Sequence, residues 1–149
     1  MRSAIRDELE QNMETVCTTQ GDSMWPLLSH RRDVVRIRRT EPGQRLCKYD
    51  VPLYMRDSGE KYVLHRILKV RKDDYVICGD NRWRREYGIT DRHIIGVMTG
   101  IVRKGKELSL SSFRYKLYVH LWCDLFFVRA FILLGRDCMK QLARGAGRK

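Results

Sequence analysis

Proline and glycine are scarce, 3 and 11 in 149 residues, and aromatic side chains make up only 9%. Such composition excludes collagen-like repeats and Pro/Gly-rich linkers, while 43% hydrophobic residues exclude a disordered polar tract. Cysteine occurs five times, at 17, 47, 78, 123 and 138, an odd number without any C-x-x-C spacing. That pattern argues against a disulfide framework and a zinc site, and predicts reduced, mostly buried thiols with no metal and no cofactor. A long apolar run is missing at the N-terminus, where MRSAIRDELEQNMETV carries Arg2, Arg6, Asp7, Glu8 and Glu10. No signal peptide or N-terminal anchor is expected there, which predicts a chain that is cytoplasmic or peripherally attached to a membrane.

Acidic residues are in deficit too, 18 against 30 basic ones, for a formal net charge of +12. Twenty-one of the basic residues are Arg, whose donor fork favours anionic partners such as phosphate, acidic peptide or lipid headgroup. The length is that of one domain. Ser3 to about Asn12 reads as a short helix with Ile5 and Leu9 on one face, and beyond it the pattern turns β. Strands are expected over 33–39, 51–56, 61–71, 75–79 and 93–105, with turns at 41–44 and 57–60. The predicted fold class is therefore mainly β: a domain over 1–110 with a short N-terminal helix, then a C-terminal helical segment and basic tail over 111–149.

One segment, Leu117 to Leu134, is apolar enough to graze a bilayer but contains His120, Asp124 and Arg129. Its eleven Leu, Ile, Val and Phe residues offer about −3 to −7 kcal/mol of insertion free energy, and Asp124 with Arg129 costs roughly +5 to +7 kcal/mol. On one continuous helix those two charges fall on opposite sides, so neither a spanning nor a single-faced interfacial helix is specified. A helix packed on the domain and a contact with an anionic membrane surface both remain open. The Gly-rich end of the tail reads as disordered.

A candidate for chemistry is Gly21-Asp22-Ser23-Met24-Trp25-Pro26, where a glycine that tolerates positive φ and a proline bracket a serine. A serine in such a turn is ordinarily only a turn residue, so its weight depends on a base. Of the four histidines, His65 shares a strand side with Val63 and Ile67, a setting that favours the neutral imidazole a general base needs. The bland alternative is a core histidine. If Lys72-Asp73 is the two-residue loop of the following hairpin, His65 lies opposite Asp80, whose carboxylate can fix its tautomer. A loop at Asp73-Asp74 moves that register by two.

G-D-S-M-W-P, R-R-D-V-V, L-H-R-I-L, G-D-N and I-I-G-V, in that order over roughly residues 17–103, together resemble the signal peptidase and LexA-like serine peptidases. The resemblance implies that Ser23 is the nucleophile and, since His65 stands where other branches have lysine, that this is the histidine-base branch found in the endoplasmic reticulum and archaea. It implies Asp80 of G-D-N as the acid, with Glu86 where that branch has a second aspartate. Gly21 stands where lysine-type enzymes place an oxyanion-holding hydroxyl residue, leaving that task to the Ser23 backbone N–H. Met24 and Trp25 either line the substrate cleft or join the core. The implied activity is endopeptidase cleavage of an extended peptide or preprotein through an acyl-enzyme.

Two other readings compete. A LexA-like self-cleaving regulator is disfavoured because 22 residues before Ser23 are too few for a helix-turn-helix. A non-catalytic nucleic-acid module would use Arg31, Arg32, Arg36, Arg38, Arg82, Arg84 and Arg85, but only Trp83 is interleaved for stacking, so no nucleic acid is expected.

Overall fold

The computed structural model describes residues 2–57, 59 and 61–146. Ile5 and Leu9, four positions apart, pack α1 (Arg2–Asn12) onto a first core cluster formed with Met24, Leu28, Val35, Ile37, Val51, Leu53, Met98 and Ile101. The chain then enters β1 (Glu14–Thr18), a strand the sequence pattern did not announce. In β2 (Asp33–Arg39) the expected alternation holds: Val35 and Ile37 are buried, and Arg38 is exposed.

After β3 (Pro52–Met55), the run anticipated as one long strand over 61–71 is broken at His65. It forms β4 (Tyr62–Leu64) and β5 (Arg66–Val70), which belong to different sheets. Of the turn at 57–60, Ser58 and Glu60 lie outside the described residues. Then come β6 (Tyr75–Cys78), β7 (Glu86–Ile89), β8 (Ile94–Arg103) and β9 (Lys106–Leu108). One antiparallel sheet has the order β1-β2-β8-β3-β4, with β9 also on β8; the other has the order β5-β6-β7. Cys17 of β1 and Tyr62 and Leu64 of β4 pack against the same core cluster, so the larger sheet curls around it. A second cluster, including Tyr54, Ile67, Tyr75, Ile77 and Ile94, joins the two sheets. The architecture is mainly β, with helices at both ends.

Ser112 caps α2 (Phe113–Asp124), its Oγ accepting from the Tyr115 N–H at 3.3 Å. Leu125 interrupts the helix, and α3 (Phe126–Ala146) continues at an angle of 73°. The segment 117–134 is therefore not one helix. The break resets the helical phase, so Asp124 is exposed beside Lys48 and Tyr49 while Arg129 is buried beneath α3. Among the described residues no single helix is long and apolar enough to cross a membrane; α2 with α3 as far as Gln141 passes on length and composition only as a bent pair. Helix α3 runs through Ala146 into the tail expected to be disordered; residues 147–149 lie outside the described residues.

Candidate active site

The serine turn is fixed from both sides. Gly21 adopts φ of +84°, in the left-handed region that favours glycine, and its N–H donates to His30 Nδ1 at 2.8 Å. Buried Asp33, at the start of β2, accepts from the Ser29 N–H at 2.8 Å and from Arg103 through two bonds of 2.8 Å, while Arg103 Nη2 also donates to the Leu27 carbonyl at 2.6 Å. Burial alone would raise the Asp33 pKa, but Arg103, the Ser29 N–H and Arg32 outweigh it and hold the carboxyl at about 2. Met24 faces inward and is part of the first core cluster; Trp25, joined to Pro26 by a cis peptide bond, is 50% exposed. Of the two candidate cleft residues, then, Met24 is core and Trp25 is at the surface.

The G-D-N loop closes over this turn. Asn81 N–H donates to the Ser23 carbonyl at 2.7 Å, Asn81 Nδ2 to the Asp22 carbonyl at 3.0 Å, and Arg82 Nη2 to the Asp22 carboxylate at 2.8 Å. Arg82 thereby offsets the negative charge that Asp22 brings beside Ser23. Gly79 permits the approach: a Cβ there would lie 2.6 Å from the Ser23 carbonyl oxygen and 3.0 Å from His65 Nε2. The Ser23 backbone carbonyl and the His65 ring thus converge on Gly79. Among the described residues, neither Oγ nor N–H of Ser23 has a hydrogen-bond partner.

His65, 7% exposed, sits where the chain passes from one sheet to the other. Its Nδ1 is 2.8 Å from Glu86 Oε1 and 3.3 Å from the Tyr54 hydroxyl. Tyr54 donates to Glu86 Oε2 at 3.0 Å, and Arg56 Nε donates to the same oxygen at 2.8 Å. Burial works to raise the Glu86 pKa, yet bonds from His65 and Arg56 prevail and set it at about 2. An ionised carboxylate only accepts, so Nδ1 is the donor to Glu86, and Nε2 faces the Gly79 side of the site. Burial, then the neighbouring Glu86, raises the Tyr54 pKa, keeping its hydroxyl a donor.

Asp80 is not the partner of His65. Near the turn the loop is at Lys72-Asp73, one of the two the sequence left open, with Val70 opposite Tyr75, but a bulge between Ile67 and Lys69 shifts the register so that Arg66 faces Cys78. Continuing that register puts Gly79, not Asp80, opposite His65. The Asp80 carboxylate instead receives Arg66 Nε at 3.0 Å and Nη2 at 2.8 Å, with both side chains fully buried, and Tyr118 Oη at 2.9 Å; Trp122 Nε1 donates to its carbonyl at 2.7 Å. Tyr54, Arg56, Asn81 and Arg82 are site residues that sequence reasoning missed. Only Asn81 carried a signal, as the third residue of G-D-N. Among the described residues no cluster of His, Cys, Asp or Glu could hold a metal ion.

Compared with known proteins, the chain matches no family model, no curated protein and no solved structure.

Proposed function

We propose that the protein is a serine endopeptidase of the signal peptidase and LexA-like type, with Ser23 as nucleophile, His65 as general base and Glu86 as the carboxylate that orients the base. The observation that carries this reading is the convergence of the Ser23 turn and His65 Nε2 on Gly79, with Nδ1 of the same ring held by Glu86. His65 Nε2 takes the Ser23 Oγ proton as Oγ bonds to the substrate carbonyl carbon. The oxyanion is stabilised by the Ser23 N–H. Collapse breaks the C–N bond, His65 passes the proton to the leaving amine, and water activated by His65 hydrolyses the acyl-enzyme. Asp80 serves the scaffold by neutralising Arg66 and tying the G-D-N loop to α2.

The terminal strands β1 and β4 lead to Ser23 and His65 respectively, and both pack on the first core cluster. An extended peptide or preprotein segment laid between them would bring a scissile bond to the serine. The test is cleavage of a mixed-sequence peptide library by the full chain, read by mass spectrometry. Wild-type protein is expected to cut at defined bonds, and Ser23→Ala and His65→Ala to lose all cuts. Identical cleavage by Ser23→Ala would overturn the proposal.

A further inference from the structure

Most surface helices bury an apolar face and expose a charged one. Helix α3 buries Phe126 and Leu133 but leaves most of its large apolar side chains exposed. Two of its arginines turn toward the domain: Arg129, 3% exposed, has Nη2 at 3.4 Å from the Arg82 carbonyl, and Arg136 Nη1 donates to Asn81 Oδ1 at 2.9 Å. Phe127, Val128, Phe131, Ile132, Leu134 and Met139 point away from it, between 40% and 80% exposed. Helix α2 adds a stripe at four-residue spacing, Phe113, Leu117 and Leu121, all exposed. A contiguous apolar face of this kind on a charged protein marks an interaction surface.

We propose that this face of the α2–α3 pair docks on an anionic lipid bilayer, with α3 lying along the interface. Charge selects the occupant. Arg84, Arg114, Lys116 and Lys140 are exposed, Arg85 is half-buried, and none of the five has a carboxylate partner among the described residues. Arg85 lies over the Phe126 and Phe127 rings, at 4.1 and 5.4 Å from their centroids, so a cation borders the apolar face directly. The acids nearby are already neutralised, Asp124 by Lys48 at 2.9 Å and Asp137 by Arg136 at 3.3 Å. A second copy apposed through this face would bring the two sets of unpaired cations together, a like-charge contact that opposes association. Anionic headgroups answer the same cations favourably. The 73° bend, with Arg129 and Arg136 fastening α3 to the loop at 81–82, fits a helix lying in the interface rather than spanning it.

The experiment is flotation of the full chain in a density gradient with phosphatidylcholine vesicles prepared with and without phosphatidylglycerol. Wild-type protein is expected to float with the anionic vesicles and to bind the neutral ones at least about tenfold less. Phe131→Glu with Ile132→Glu, both at exposed positions, should stay at the bottom of the gradient while keeping the wild-type circular dichroism and thermal midpoint. Lys116→Glu with Arg84→Glu should lose the preference for anionic vesicles while keeping the apolar face, an independent readout should the first variant fold poorly. Wild-type protein that floats with neither vesicle, or equally with both, overturns the proposal. So does a dimer in analytical ultracentrifugation that Phe131→Glu dissociates, because a second copy would then cover the face. None of these readouts depends on peptidase activity.

Discussion

At the scale of single residues, two carboxylates that look alike in the sequence have opposite roles in the structure. Glu86 faces His65, and Asp80 faces a buried arginine. Replacing Glu86 with Gln removes the negative charge beside His65 and puts an amide that can donate as well as accept against Nδ1, and the rate of acylation by a fluorophosphonate should fall by about 10²–10⁴-fold. Asp80→Asn leaves the Arg66 charge buried without a counter-ion; the unfolding free energy measured in urea should drop by about 3–5 kcal/mol. Equal effects of the two substitutions on both measurements would contradict this division. The depressed Glu86 pKa also fixes the sign of a pH effect. Its ordinary value is 4.5 and its folded value about 2, so its contribution to stability is fully present above about pH 4.5 and is lost as the pH falls toward 2. The stability difference between wild type and Glu86→Gln should be flat above that window and shrink through it. A difference that grows on acidification would refute the assignment.

At the scale of elements, the site depends on a strand that stops. The alternation in KYVLHRILKVR suggests one continuous strand, and nothing in the residues marks the break at His65; it arises because β4 pairs with β3 while β5 pairs with β6. That change of sheet carries the imidazole to the junction. The sequence narrows the near-turn register to two loops, of which the structure has the one at Lys72-Asp73, whereas the bulge at Ile67/Lys69 and the short strand β7 were not legible, since each depends on contacts distant in sequence. Gly21 and the Ser23 turn could be read from local backbone chemistry alone. Gly79 was visible only as part of a motif, and its reason appears in the packing: no side chain fits between the serine turn and His65. Gly79→Ala should destabilise the fold by about 1–3 kcal/mol and slow serine acylation by more than that loss explains, as seen by comparing labelling with thermal midpoint. Labelling at the wild-type rate would argue that the two groups need no such closeness. Trp122→Phe removes one bond from α2 to the G-D-N loop and should cost about 1 kcal/mol.

At the scale of the whole molecule, the C-terminal helices link two surfaces. Their inner side holds Asp80 and Asn81, and Asn81 in turn holds the Ser23 turn; their outer side is the apolar face. The sequence placed helices and an ambiguous apolar segment here, but the interruption at Leu125 that separates Asp124 from Arg129 onto two helices could not be read from periodicity. The central claim, that Ser23 is a nucleophile activated by His65, is tested most directly by reacting the full chain with a fluorophosphonate and locating the adduct by peptide mass mapping. The account predicts one adduct, on Ser23, absent from Ser23→Ala and strongly slowed in His65→Ala. An adduct on another residue, or one that persists undiminished in Ser23→Ala, would contradict it.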